Sequence, residues 1–451
     1  MRMFMAGAGA VGSRSRKTAK SGKDIGGALN VFPGLKTGDF LGSRFKMMGI
    51  SRRTVLGTGV VLLSGAVARP ASGRTYKDPG VTDTSIKIGC TAPFSGPASA
   101  YGIIGTSAKA YFDMINDRGG VNGRKVEIIS LDDAYSPPKT VEAVRRLVEQ
   151  DEVFCMFNNV GSAANSAVAK YLNDRKIPAL FITSGASKWG NGSVYPWTIG
   201  FQAPYSAEGQ IFARHIRATI PDAKIGVLMQ NDDFGKDYYS GFLNGLGSPD
   251  RIVAMATYEL SDPTIDSQIV KLKTAGANVF FNITSPKFAA QAIRKIAEMQ
   301  WNAVHYMNST CTSMQVLRTA GLENCQGMIS MSYLKDPSDP KWQNSPDYKA
   351  WLDWMNTYNK TGSKTDGTTA WCFATAYTLH QVLLRCGDEM TRENVMNQAI
   401  NLTDLDVPML LPGIKVNTSP ASRYPITTVQ LLKFGGETWS PFGDLVSAKM
   451  S

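Results

Sequence analysis

The chain has 451 residues, 43% hydrophobic and 19% charged, with a formal net charge of +11. Residues 1–68 carry 11 of the 48 basic and 2 of the 37 acidic residues, which leaves 37 basic against 35 acidic beyond them. The excess charge therefore belongs to the leader and gives no support to nucleic-acid binding by the remainder, whose length of about 380 residues exceeds one core and predicts two lobes.

Residues 1–46 are rich in Gly, Ser, Lys and Arg without apolar periodicity, and are read as a prefix with no fold of its own. Gly7-Ala8-Gly9-Ala10-Val11-Gly12 fits a dinucleotide-binding fingerprint, but the Ser, Arg and Lys that follow form no amphipathic helix to face a pyrophosphate. Nicotinamide binding is not expected. At 47–68, Ser51-Arg52-Arg53-Thr54-Val55-Leu56 resembles a twin-arginine export signal, with an apolar run over 55–67 and a small-x-small site at Ala66-Val67-Ala68. A run of about 13 residues is too short for a bilayer core that needs about 20. Export to the periplasm is expected, and Met47 or Met48 is a candidate start because such signals sit at the N-terminus.

From residue 84 the chain alternates strands and helices with short connections. Strands are predicted at 86–89, 125–131, 153–157 and 179–182, with helices at 102–118, 139–150 and 163–176 between them. A second series follows, with helices at 207–219, 235–246, 265–275, 286–299 and 314–320. Its strands fall at 225–229, 252–258, 279–283 and 304–307. Helices return at 348–358, 369–385 and 391–400, and a strand is predicted at 428–434. Short apolar runs without period-two alternation suit parallel strands covered on both faces. The aromatic group Trp342, Trp351, Trp354 and Tyr358 is read mainly as packing against a lobe.

The six cysteines show no C-x-x-C pair. Cys372 and Cys386 lie on one predicted helix about 21 Å apart and cannot bridge. A Cys311–Cys325 bridge is open, and Cys90 and Cys155 read as buried strand thiols. The histidines at 215, 305 and 380 stand far from one another, so neither a metal site nor histidine catalysis is expected. Beyond the leader there is no Gly-x-Ser-x-Gly elbow, metal spacing or phosphate loop, which argues against an enzyme or a cofactor.

Ile86-Lys87-Ile88-Gly89-Cys90-Thr91-Ala92-Pro93-Phe94-Ser95-Gly96-Pro97 carries the first part of a family resemblance. It continues through Tyr101-Gly102, Asn116-Asp117-Arg118-Gly119-Gly120-Val121-Asn122-Gly123, Asp132-Asp133, Pro137-Pro138-Lys139, Asp233-Phe234-Gly235-Lys236 and Ala320-Gly321-Leu322-Glu323. Over 84–440 the chain resembles the extracytoplasmic branched-chain amino-acid-binding proteins of ABC importers. The resemblance implies an α/β fold of two doubly wound lobes joined by a three-strand hinge, the type I periplasmic binding protein architecture. The lobes would be 84–203 plus 333–408, and 204–332 plus 409–451.

The resemblance also implies a monomer that holds a small-molecule carboxylate in an interlobe cleft and docks onto a membrane permease. Tyr101 would pack on the ligand, and Phe234 would close over it from the opposite lobe. Gly161 falls where the family commonly has a carboxylate-binding serine, with Ser162 beside it. Gly185, Ala186 and Ser187 would hold the carboxylate and amine. The residues alone agree, since both loops follow a strand and expose amides and hydroxyls, although helix capping would use the same serines. Two departures stand out. Thr310 falls at or near the glutamate that meets the ligand ammonium, which implies a ligand without an α-amine: an aromatic, keto or other organic acid, or an amide. Tyr135 and Val160 stand where the family commonly has a disulfide, so no bridge is expected there, and the ligand would pack on Tyr101, Trp189 and Phe234. The alternative is a ligand-sensing module of the same fold.

Overall fold

The computed structural model describes residues 77–448, so the prefix, the twin-arginine segment and the glycine run at 7–12 lie outside the described residues. The first series comprises β1 (Ser85–Ala92), α1 (Ile103–Asp117), β2 (Lys125–Asp132), α2 (Pro137–Glu149), β3 (Cys155–Phe157), α3 (Ser162–Asp174), β4 (Ala179–Ile182) and β5 (Thr198–Gly200). The second runs through α4 (Tyr205–Thr219), β6 (Ile225–Gln230), α5 (Asp233–Leu246), β7 (Ile252–Tyr258), α6 (Asp266–Thr274), β8 (Val279–Ile283), α7 (Pro286–Glu298), β9 (Val304–Met307), α8 (Met314–Ala320) and β10 (Ile329–Ser332). The chain then returns to the first lobe as α9 (Pro346–Thr357), α10 (Gly367–Arg385) and α11 (Arg392–Ala399). There Trp354 packs on Tyr111 of α1, and Arg392 donates to the carbonyls of Val153 and Phe154 beside β3. Finally β11 (Thr428–Gly435) and β12 (Thr438–Ser447) complete the second sheet.

The two lobes share one winding. The first sheet runs β2-β1-β3-β4-β5, all parallel. The parallel part of the second runs β7-β6-β8-β9-β10, the same order shifted by five strands, with β11 and β12 added antiparallel at one edge. In each, the strand order reverses once: between β1 and β3, and between β6 and β8. Connections leave such a reversal toward opposite faces and open a crevice at the carboxyl ends of the strands.

Burial explains the sequence pattern. β3, β4, β6 and β8 are buried along their whole length; β3 and β4 read as unbroken apolar runs, and β6 and β8 each carry one buried polar residue, Gln230 and Asn282. The edge strand β7 alternates between buried and exposed over its second half, as a strand with one solvated face should. Pro137, Pro286 and Pro346 each begin a helix, where a missing amide costs nothing.

Helices α4 and α5 pack closely because glycines line the contact. A β-carbon at Gly241 would fall on the Ser206 carbonyl oxygen, and one at Gly209 on that of Tyr238. Gly241→Ala should therefore lower stability by about 1–3 kcal/mol through overpacking, measured as a reduced urea midpoint with an unchanged slope.

Candidate ligand cleft

The two strand-order reversals face one another across a cleft of about 1250 Å³, counting the solvent at its mouth. From the first lobe it is lined by Tyr101, Tyr135, Gly161 and Ser162, and from the second by Phe234, Ser285, Ser309 and Thr310. The structure thus brings together Tyr101, Gly161, Ser162, Phe234 and Thr310 among the residues singled out by sequence. The Tyr101 hydroxyl spans the lobes, donating to the Thr310 carbonyl at 3.1 Å. Tyr205 at the start of α4 meets Phe234 edge-on and gives the second lobe an aromatic wall.

Gly161 has a structural cause. Its φ of +99° is left-handed, and a β-carbon there would lie 2.7 Å from the ring of Tyr135. The serine expected by resemblance would collide with that ring, so Tyr135 occupies the side-chain space at this corner. Gly161 then opens α3, which has neither a side-chain cap nor an acidic residue in its first turn. α7, which starts beside Ser285, likewise has neither. Both positive helix ends are directed at the cleft. The charged residues lining it are already engaged: Lys335 pairs with Asp347 at 2.6 Å, while Asp336 accepts from Ser338 and from the Trp439 amide. Burial raises the Asp336 carboxyl despite those hydrogen bonds. The cleft can therefore recognise an anion through dipoles and hydroxyls.

Gly185, Ala186 and Ser187 are placed elsewhere. Gly185 and Ala186 line a separate small pocket with Trp189 and Tyr424. The amide and hydroxyl of Ser187 both donate to Asp237 of α5 at 2.9 Å, and its carbonyl accepts from Tyr424. After β4 the chain enters a short 3-10 turn whose polar groups are taken up by α5, which draws these residues away from the cleft. Trp189 is buried in the same region, its indole N–H donating to Ser184. Trp351 and Trp354 are buried in the first lobe, whereas Trp342 lines the cleft.

The same turn ties the lobes together. Lys188 lies 2.6 Å from Asp233, which also accepts from Ser166 of α3 at 2.6 Å. Burial pushes the Asp233 carboxyl up, but the hydrogen bonds from Lys188 and Ser166 outweigh it and hold it below the usual range. Asp232 caps α5, accepting from the amides of Phe234 and Gly235.

The lining residues Tyr205 and Ser285 were not singled out by sequence, and neither was an acidic residue beside the cleft. Glu208, in the first turn of α4, is 1% exposed, and accepts from the Tyr238 hydroxyl at 2.9 Å, the Ser309 amide at 2.7 Å and the Ser309 hydroxyl at 2.6 Å. Burial pushes its carboxyl up to about 7 against these favourable bonds. The available signal was its position: Tyr205, Glu208, Phe212 and Ile216 share one face of α4, so an acidic side chain sits on the apolar stripe.

All six cysteines are buried free thiols. Cys311 donates to the Thr284 carbonyl and Cys325 to that of Gly321, so the 311–325 pair is not bridged.

A family profile described as periplasmic binding protein matches residues 85–434. A Leu/Ile/Val-binding protein homolog from Brucella abortus is 24% identical over 313 residues, covering 68% of this chain and 80% of the relative. An amino acid binding protein from Pseudomonas aeruginosa is 23% identical, covering 65% and 77%. Among solved structures, a substrate-binding periplasmic protein from Ralstonia solanacearum superimposes with a TM-score of 0.71 at 24% identity, over 78% of this chain and 98% of that one. A branched-chain amino acid ABC transporter protein from Thermus thermophilus, solved with valine bound, gives 0.71 at 14% identity, over 81% and 97%.

Two outcomes follow from the electrostatics. Folded Glu208 keeps a proton that the unfolded chain loses above its ordinary value of 4.5. Its contribution to stability is therefore complete below that pH and is lost as pH rises toward about 7. Unfolding of Glu208→Gln followed across this window should lack that part of the decline. Asp233→Ala should remove the cross-lobe pair with Lys188. Because both side chains are partly exposed, the expected change is about fivefold or less in the closed-to-open ratio, read as a larger radius of gyration in solution scattering.

Proposed function

The chain belongs to the periplasmic binding protein family, and from that premise we propose that it is the substrate-binding component of an ABC importer. It captures a small carboxylate, an amino acid or an organic acid, between its lobes and presents the closed form to a membrane permease. The observation that carries this reading is the pair of opposed strand-order reversals, with the starts of α3 and α7 directed into one cleft whose charged lining residues are already engaged. Positive helix ends without a resident counter-ion favour a carboxylate. The aromatic walls formed by Tyr101, Tyr135, Tyr205 and Phe234 suit an apolar or aromatic side chain. The relatives named for leucine, isoleucine and valine binding support an amino acid.

No covalent step is required. A ligand that touches both lobes need only bind the closed state better than the open one. The protein works as a monomer in the periplasm, reached by the twin-arginine route, a reading supported by Ser51-Arg52-Arg53-Thr54-Val55-Leu56 and the apolar run behind it.

Thermal unfolding with leucine, aromatic acids, dicarboxylates and amides tests the proposal. A true ligand at 100 times its Kd should stabilise the protein by about 2.7 kcal/mol. If amides raise the melting temperature and no carboxylate does, the proposed ligand class is wrong.

A further inference from the structure

Glu208 is a buried carboxyl group for which the described residues supply no countercharge. Its three donors, the Tyr238 hydroxyl and the two groups of Ser309, are all neutral. The ionisable groups around it are Tyr205 of α4, Tyr238 of α5, Cys311 in the turn after β9 and Tyr333 after β10, each kept neutral by burial. Among the described residues no Lys, Arg or His pairs with it. An uncompensated buried charge is costly, and the cost falls when a cation approaches.

Ser309 lies between Glu208 and the cleft. With Glu208 ionised, its hydroxyl proton is committed to that carboxylate at 2.6 Å, so the remaining lone pairs of that oxygen can only accept. The neighbouring Thr310 hydroxyl is likewise committed to Asn308. This corner of the second lobe therefore presents acceptors backed by a carboxyl group that an approaching cation would ionise, while the start of α3 in the first lobe presents donors backed by a positive dipole. A ligand with a carboxylate at one end and an ammonium at the other matches that polarity.

We propose that Glu208, acting through Ser309, is a specificity-determining positioning residue that selects a ligand bearing an ammonium, so that the cleft takes a zwitterionic α-amino acid in preference to its amine-free analogue. This rests on the small-carboxylate reading above, and it replaces the amine-free ligand implied by Thr310. The acidic group that the resemblance places at 310 is supplied by another element, from behind Ser309.

The test compares two matched pairs on the full chain by titration calorimetry: leucine with 4-methylpentanoate, and phenylalanine with 3-phenylpropanoate. In the wild type the amino acid of at least one pair should bind more tightly than its analogue. Glu208→Gln should weaken that amino acid about tenfold or more, and its analogue less than about twofold. Titrations at pH 7 in two buffers of different ionisation enthalpy give a second readout, independent of whether the variant folds. Amino-acid binding should release a fraction of a proton as Glu208 ionises, a signal a purely structural carboxylate would not give. Tighter or equal binding of the analogues, equal weakening of both members by Glu208→Gln, or no proton release overturns the inference and leaves the carboxylate reading standing. If no member of either pair binds while amides do, that reading falls and the inference with it.

Discussion

A parallel sheet wound to both faces has one place where adjacent connections part, and the loops at that place have no strand or helix to fill the gap between them. The carboxyl ends of the strands and the starts of the helices that follow them there border open space instead of packed chain. This protein contains that arrangement twice, in sheets of identical winding, and turns the two openings toward each other. Tyr101, Gly161 and Ser162 come from one, and Phe234 and Ser285 from the other. Neither lobe alone encloses a ligand; the cleft exists only when both contribute.

Closure is held by groups that lie beside the cleft. Lys188 and Ser166 grip Asp233, and Ser187 grips Asp237, so one face of α5 carries most of the polar contact on that side. The same helix presents Phe234 to the cleft and packs through glycines on α4, which carries Tyr205 and Glu208. The aromatic wall of the second lobe, the buried carboxyl group and the contacts of Asp233 and Asp237 with the first lobe therefore sit on one tightly packed pair of helices. A ligand that reorients Phe234 or Ser309 acts on the closed state through a body that has little room to deform internally.

Much of this was legible in the residues. The fully buried strands announced themselves as short, largely apolar runs, and the start expected at 286 coincides with that of α7, whereas α2 and α9 begin two residues earlier than expected, at Pro137 and Pro346. Elements that depend on neighbours were harder to see. β5 has three residues, β10 reads Ile-Ser-Met-Ser, and β12 carries Pro441 and Gly443; their strand character comes from the strands they pair with. The cleft followed the same division. Tyr101, Gly161, Ser162, Phe234 and Thr310 lie in the turns and first helical residues that follow strands, whose position is set by local strand–helix order. The path of Gly185, Ala186 and Ser187 is set by Asp237, fifty residues further on, which no local pattern encodes. Glu208 was concealed differently, since its neighbour Ser309 is 101 residues away.

The pairing of Tyr135 with Gly161 constrains how this corner can change over evolutionary time. A hydroxyl-bearing side chain placed at 161 while the tyrosine is kept would force two groups into one space, and losing the ring alone would leave a void beside a backbone already in a conformation that disfavours most residues. Residues 135 and 161 are thus coupled: a side chain at 161 needs both a smaller residue at 135 and a changed backbone, so this end of the binding surface alters as a pair.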